Sequence, residues 1–236
     1  MIEIEGYDPE RANPHPLFRE LDKRLAETGD EEAWFAGVRE LLETSYLAAA
    51  TPYEQSGTSS DAQSWRRKRS PIVDAIDRDG TFLDIGCANG LLMETLTDWA
   101  AERGHCIEPY GLDLSPRLAA LARSRYPQWA ERIWVGNGLT WRPPDGQRFD
   151  YVRTELEYVP LHRWRDFVAH LLDAVVASGG RLIVCSYGSA RRPAPRVQDT
   201  ATILRGFGCA VAGMASAAAP NGITDVMVAW IDNAFS

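Results

Sequence analysis

The sequence predicts an α/β fold: a doubly wound, mostly parallel seven-stranded sheet with an antiparallel C-terminal strand, plus an N-terminal helical cap. Three observations predict it. Beyond Trp65, short apolar runs alternate with segments of helical spacing, and such alternation implies parallel pairing with right-handed crossovers. The last two apolar runs are joined by Pro220-Asn221-Gly222, a turn sequence, so they pair antiparallel. Ahead of Trp65, apolar residues recur at helical spacing only.

Residues 1–14 are polar and proline-bearing and read as a loose arm. Leu17, Leu21 and Leu25 mark one amphipathic helix; Trp34, Val38, Leu41 and Leu42 mark a second, with Thr28-Gly29-Asp30 between them. Residues 51–61 are dense in turn formers and read as a mobile loop, with 51–64 a candidate lid. This divides the chain into a cap with its lid loop, 1–64, and a body, 65–236. In the body, Ile72–Ile76 follows Pro71 as a short helix. Thr81–Ile85 is a strand, Leu91–Ala101 a helix and Tyr110–Leu114 a strand. Pro116–Arg125 is a helix with Ser115 as N-cap and proline in its first turn. Ile133–Val135 and Phe149–Val152 are strands, and Trp164–Ala177 is a helix stopped by Gly179-Gly180. Arg181–Ser186 is a strand, Val197–Leu204 a helix, and Cys209–Met214 and Thr224–Ile231 are the closing strands.

Composition narrows the function class. With 45% hydrophobic and 25% charged residues the chain is not collagen-like, disordered or a disulfide scaffold. Its apolar stretches fall well short of the roughly 20 residues of a membrane span. The start, Met1-Ile2-Glu3-Ile4-Glu5, is unlike a signal peptide. Cys87, Cys106, Cys185 and Cys209 form no CxxC pair and have no histidine at zinc-ligand spacing. Reduced, buried thiols, no metal site and a cytoplasmic location are the expectations. The net charge is −8, of which −7 falls in residues 1–50. The body is therefore nearly neutral, and the acidic cap reads as helices with a solvated outer face.

The most informative segment is Thr81-Phe82-Leu83-Asp84-Ile85-Gly86-Cys87-Ala88-Asn89-Gly90-Leu91. An apolar strand runs into an acid, then small residues, then a helix. Small residues let the backbone turn tightly and approach a ligand, and the helix start presents free N–H groups. In an open α/β sheet this end of the strands is where ligands bind. The spacing D-x-G-x-A-x-G is not the dinucleotide fingerprint GxGxxG, and Asp84 would repel a pyrophosphate. A second strand ends in Gly111-Leu112-Asp113-Leu114-Ser115, placing an acid 23 residues beyond Gly90. An acid at about that spacing hydrogen-bonds ribose hydroxyls in nucleoside-binding sheets.

Together these segments resemble the class I, Rossmann-like S-adenosylmethionine-dependent methyltransferases. D-x-G-x-A-x-G is similar to that family's first motif, with Ala88 in place of its central glycine; G-x-D-x-S is similar to its second. Ile133-Trp134-Val135-Gly136-Asn137-Gly138 resembles the adenine-facing segment, with Asn137 where aspartate is common. Phe149-Asp150-Tyr151-Val152, Gly179-Gly180-Arg181-Leu182-Ile183-Val184 and Gly206-Phe207-Gly208 resemble later landmarks. The likeness runs from about Trp65 to Ile231. It implies S-adenosylmethionine as cofactor and the following roles. Asp84 lies near the amino group; Gly86, Cys87, Ala88 and Gly90 give close backbone approach; Asp113 holds the ribose diol and Leu114 packs on adenine. Asn137 and Gly138 address the adenine edge, and Thr154 lies near the methionine portion. One of Arg66, Arg67 and Arg69 pairs with the cofactor carboxylate. The same Trp65-Arg66-Arg67-Lys68-Arg69 run also reads as a solvated basic face, or as a neutralising partner for the acidic cap.

Methyl transfer from a sulfonium is an in-line displacement, so the protein's main task is alignment. Water exclusion assists, and Tyr53 in the lid loop is a candidate cover or a packing residue. Where the acceptor needs a base, Glu155, Glu157 and His162 are the candidates. The string Arg153-Thr154-Glu155-Leu156-Glu157-Tyr158 lacks the N/D/S-P-P-aromatic pattern of the family's amine- and glutamine-methylating branch. No Pro-Cys pair exists for cytosine C5 chemistry. The expected acceptor is a small molecule methylated at O or N, as in secondary metabolism. An RNA methyltransferase and a non-catalytic S-adenosylmethionine-binding protein are the alternatives.

Overall fold

The computed structural model describes residues 4, 5, 7, 16–57, 61–188 and 197–234. Most of the expected N-terminal arm and residues 58–60 of the lid loop lie outside them. The cap is two helices, α1 (Pro16–Thr28) and α2 (Glu31–Leu47), with Asp30 accepting from the Ala33 N–H as the N-cap of the second. A 3₁₀ turn, Glu54–Ser56, leads to α3 (Ala62–Arg69), which is capped by Asp61 through the Ser64 N–H. A second 3₁₀ segment, Ser70–Ala75, stands where the sequence reads a short helix; Pro71 lies in its first turn.

The body follows as β1 (Gly80–Ile85), α4 (Leu91–Glu102), β2 (Ile107–Asp113), α5 (Pro116–Arg125), β3 (Ile133–Val135) and β4 (Phe149–Glu155). Then come α6 (Trp164–Ala174), β5 (Val176–Tyr187), α7 (Thr200–Gly206), β6 (Val211–Ala218) and β7 (Thr224–Asp232). The sheet order is β3-β2-β1-β4-β5-β7-β6. The first five strands pair in parallel, and β7 pairs antiparallel with both β5 and β6. The strand order reverses between β1 and β4, and the crevice outside the carboxyl ends of strands at such a switch point is where doubly wound sheets take ligands.

Several element boundaries differ from the sequence reading: β6 runs Val211–Ala218 rather than Cys209–Met214, α7 starts at Thr200 rather than Val197, and the α6–β5 junction moves. Helix α6 ends at Ala174, and Gly179-Gly180 lies inside β5. The β-branched pair Val175-Val176 turns extended early, and Val176 pairs with Phe149 of β4. The register between the two strands then slips between Phe149 and Tyr151. A Cβ at Gly180 would stand 2.9 Å from the Asp150 carbonyl oxygen, so this bulge requires glycine.

Alternation along the strands splits the core. Leu83, Ile85, Val152, Leu182 and Val184 pack against α6 and α7. Phe82, Tyr151, Ile183 and Cys185 face the other way, against Trp65, the Ser70–Ala75 segment and α4. Of the cysteines, Cys87 and Cys185 are buried, Cys209 is half-buried and Cys106 is exposed, so the expectation of uniformly buried thiols is corrected. No helix among the described residues is long and apolar enough to cross a membrane.

Candidate functional site

The β1–α4 loop is built around three left-handed residues: Gly86 (φ 79°), Ala88 (φ 48°) and Gly90 (φ 78°). The Gly86 and Cys87 N–H groups donate to the Leu112 carbonyl, tying the loop to β2. Ala88 N–H donates to Asp113 Oδ2 at 2.8 Å, and Ser115 N–H donates to Oδ1 of the same carboxylate at 2.8 Å. Asp113 thus clamps two loop ends at the switch point. Burial raises its carboxyl to about 6, while the two N–H bonds pull the other way.

The positive φ at Ala88 explains why glycine suits that position. The left-handed conformation costs a non-glycine residue about 1–2 kcal/mol. Ala88→Gly gives up about 0.8 kcal/mol of methyl burial and roughly 0.5–1 kcal/mol of backbone entropy. These terms cancel, so the substitution is expected to hold stability within about 1 kcal/mol, a midpoint change of no more than about 2–4 °C in a thermal melt.

Above this loop lies a cavity of about 660 Å³, inside the roughly 300–1,000 Å³ range of small-molecule sites. The cap supplies one wall, with Phe18, Phe35, Val38, Leu41, Leu42 and Tyr46. The sheet supplies the floor, with Asp84, Gly86, Ala88, Asp113, Leu114, Asn137, Gly138, Glu155 and Glu157. The cap is fastened by its acids. Glu43 accepts from Ser115 Oγ at 2.5 Å and pairs with Arg117 at 3.5 Å; Glu31 pairs with Arg163 at 3.5 Å. These two carboxylates bond to the body, while Glu20, Glu27, Asp30, Glu32 and Glu40 are exposed on the expected solvated face.

Most of the residues singled out from the sequence meet here, and several do not. Cys87 is buried behind the loop, against the Gly111 backbone, with its thiol pushed well up by burial. Gly90 is small because Tyr126 packs there, a Cβ standing 2.9 Å from its ring. Neither lines the cavity. Thr154 is fully buried on the α6 side of β4, so strand alternation takes it away from the cavity and brings Arg153 and Glu155 in. His162 sits on the 3₁₀ turn Leu161–Arg163, outside the cavity lining, its Nε2 2.7 Å from Glu31. Asn137 lines the cavity, but its Oδ1 accepts from the Leu139 N–H at 3.0 Å. Tyr53 packs near Trp65, ring centroids 6.4 Å apart, and it is Ser56 and Gly57 of the lid loop that face the cavity.

The arginine run resolves residue by residue. Arg66 pairs with Glu102 on the surface. Arg67 holds the buried Asp225 with two contacts, 2.5 and 2.9 Å. Lys68 is buried and donates to the Gly188 carbonyl at 3.2 Å. Arg69 turns into the cavity, its guanidinium 3.5 Å from the Tyr187 ring centroid. Its Nη1 is buried and lacks a hydrogen-bond partner among the described residues. Among the described residues, the three arginines of the run go to Glu102, Asp225 and the cavity rather than to the helices of the cap.

Sequence reasoning missed Arg153. It lies opposite Asp84 in the β1–β4 register, is 2% exposed, and donates to Asp84 at 3.2 Å, to Tyr158 Oη at 3.0 Å and to Glu155. Tyr158 in turn donates to Glu155 at 2.7 Å, and its ring lies over Gly86, where a Cβ would stand 2.5 Å from it. The available signal was a charge at the same parity as Tyr151 within a buried strand. Burial raises Asp84 to about 6, with Arg153 opposing the shift. Glu157 differs from its neighbours: Asp84 and Glu155 have Arg153, Asp113 has two N–H donors from other residues, and Glu157 has its own backbone N–H and a long 3.5 Å contact from Ser186 Oγ. Burial, then the charge of Glu155, lifts it to about 7. No group of His, Cys, Asp and Glu among the described residues could hold a metal ion.

No family model matches the chain. It is 28% identical over 136 residues to the demethylmenaquinone methyltransferase of Tropheryma whipplei strain Twist, covering 54% of this chain and 50% of that protein. The chain thus spans about half the length of the curated relatives it matches. Among solved structures, the N-methyltransferase NodS of Bradyrhizobium japonicum WM9, in complex with S-adenosyl-L-homocysteine, superposes with a TM-score of 0.60 at 18% identity, covering 83% of this chain and 97% of that one. The Burkholderia thailandensis 1,6-didemethyltoxoflavin-N1-methyltransferase gives 0.59 at 16% identity, over 87% and 91% of the two chains. The [4+2]-cyclase SpnF gives 0.58 at 14% identity, over 85% and 96%. A cyclase in this company keeps fold and reaction apart. Sheet order, glycine loop and these likenesses agree: the chain has the fold of the class I S-adenosylmethionine-dependent methyltransferases.

Proposed function

We propose that this protein transfers a methyl group from S-adenosylmethionine to O or N of a small-molecule acceptor. The observation that carries the reading is the cavity itself: Asp113 at the switch point, and across from it Arg69 with a buried Nη1 that no described residue satisfies. A buried guanidinium nitrogen without an acceptor is costly, and a ligand carboxylate is the acceptor that fits it best. Asp113 would hold the ribose diol, Leu114 would pack on adenine, and Asn137 and Gly138 would border its edge. The bound cofactor supplies a methyl group on a positively charged sulfur. Four carboxylates against two guanidiniums give the cavity the sign that suits a cation. The apolar faces of α1 and α2 shield it from water and hold the acceptor in line. Arg66 and Arg67 are spent on Glu102 and Asp225, which favours a small acceptor over RNA.

Calorimetric titration with S-adenosylhomocysteine tests the reading. The wild-type protein is expected to bind it, and Arg69→Met to weaken binding roughly ten- to a hundredfold, the worth of one charged hydrogen-bonded pair. Methionine retains packing against Tyr187 and Trp65. A wild-type protein that ignores this ligand ends the proposal; unchanged affinity in the variant moves the carboxylate site elsewhere.

A further inference from the structure

We infer that the acceptor is an uncharged aromatic molecule carrying a weakly basic N–H, and that the Glu157 carboxylate takes its proton. This rests on the methyl-transfer reading above and specifies its substrate. Glu157 is the one carboxylate lining the cavity with neither a cationic partner nor a short hydrogen bond from another of the described residues. The groups acting on it are Glu155 and Arg153 from β4, Ser186 from β5 and its own backbone N–H; Asp84, Asp113, Tyr187, Tyr46 and Arg69 line the same cavity. Arg153 is already committed to Asp84, Glu155 and Tyr158, and in the methyl-transfer reading Arg69 goes to the cofactor carboxylate, so with cofactor bound an added anion would meet Glu157 with no free cation beside it.

Charge then selects among nucleophiles. A carboxylate or phosphate acceptor brings like charge to Glu157 and Glu155. A hydroxyl attacks well only as it loses its proton, which builds an oxyanion in the same place. A neutral nitrogen does the reverse: it becomes positive as it attacks, and nearby carboxylates stabilise that charge. Strongly basic amines are excluded, because a group of lysine-like basicity, near 10.4, is protonated at neutral pH and has no lone pair to use. Phe18, Phe35, Trp65 and Phe167 among the cavity walls suit a flat ring. In the step, the nitrogen lone pair forms the new C–N bond as the C–S bond breaks, and that bond's electron pair stays on sulfur as a neutral thioether. The proton of the resulting N–H cation passes to Glu157. Burial holds that carboxyl at about 7, a value matched to accepting and releasing a proton near neutrality.

The test uses 1-naphthylamine, 1-naphthol and 1-naphthoate, which share one ring system. With the protein saturated with S-adenosylhomocysteine, naphthylamine is expected to bind at least about tenfold tighter than naphthoate near pH 8, a difference of about 1.4 kcal/mol. The ratio should shrink toward pH 6 as Glu157 takes up its proton. Glu157→Gln should weaken that pH dependence, leaving the part that follows Asp84 and Asp113, which line the same cavity at about 6, and leave S-adenosylhomocysteine affinity unchanged. Given a labelled methyl donor and an equimolar mixture, N-methyl-1-naphthylamine is the expected main product. Naphthoate binding as well as naphthylamine near pH 8, a pH dependence of the ratio undiminished by Glu157→Gln, or O-methylation as the main outcome overturns the inference and leaves the methyl-transfer reading standing. Failure to bind S-adenosylhomocysteine overturns both.

Discussion

Arg153→Met is expected to destabilise the protein by about 3–5 kcal/mol, the cost of breaking a buried charge network by removing one partner. That corresponds to a midpoint lowered by roughly 6–20 °C for a domain of this size. The side chain is 3% exposed, and Asp84 beside it is 2% exposed, so neither charge has water to fall back on. Methionine fills similar space but leaves Asp84 buried without a cation and Glu155 with only the Tyr158 hydroxyl. The loss carries a pH signature. Burial has already raised Asp84 from 3.8 to about 6 with Arg153 holding it down, and without Arg153 it must rise further. A carboxyl whose folded value lies above its unfolded one binds more protons in the native state, so its contribution to stability falls as pH rises through that window. The deficit of the variant should therefore be smallest near pH 5, where Asp84 can stay neutral, and grow through neutrality toward pH 8. Thermal melts of both proteins across that range check it; a deficit independent of pH would assign Arg153 to packing rather than charge.

Arg153 also marks where legibility in the sequence stops. The seven strands were readable because central parallel strands are buried on both faces and appear as apolar runs, as in Thr81–Ile85 and Phe149–Val152. Ser115-Pro116 carried its own helix-start chemistry, and Ser115 accepts from the Leu118 N–H as that chemistry requires. The small residues of the β1–α4 loop disclosed a ligand-facing turn. Contacts across the sheet left no local trace. Asp84 and Arg153 are 69 residues apart and meet only because β1 and β4 adjoin in a particular register. The choice among Arg66, Arg67 and Arg69 depended on helical phase relative to Glu102, Asp225 and the cavity, partners far along the chain. His162 lies outside the cavity lining because the 3₁₀ turn after β4 sets it against Glu31, a partner 131 residues away. Thr154 was misread by one position, and in a strand one position is the opposite face. The glycine pattern was right about tight approach at Gly86 and Gly90, yet the atoms that approach belong to Tyr158 and Tyr126 of the protein itself.

Asp113→Ala and Asp113→Asn are both expected to lower S-adenosylhomocysteine affinity by more than a hundredfold, with the folded state retained. Each carboxylate oxygen accepts one backbone N–H, from Ala88 at 2.8 Å and from Ser115 at 2.8 Å, and each has a further lone pair for a ribose hydroxyl. Alanine orphans two buried N–H groups, at about 1–3 kcal/mol each, and removes the proposed acceptor of the ribose diol. Asparagine has the same shape but only one acceptor oxygen, so its amide N–H₂ must face one of the two N–H donors. That donor–donor clash releases either the left-handed Ala88 from the β1–α4 loop or Ser115 from the start of α5. Because Ser115 also bonds Glu43 of α2, the second outcome loosens the cap as well. Calorimetry measures the affinity, and far-ultraviolet circular dichroism confirms the fold. If Asp113→Asn bound within tenfold of the wild type, the negative charge and the double clamp would both be dispensable, and the ribose diol would have to be held by another group in the cavity.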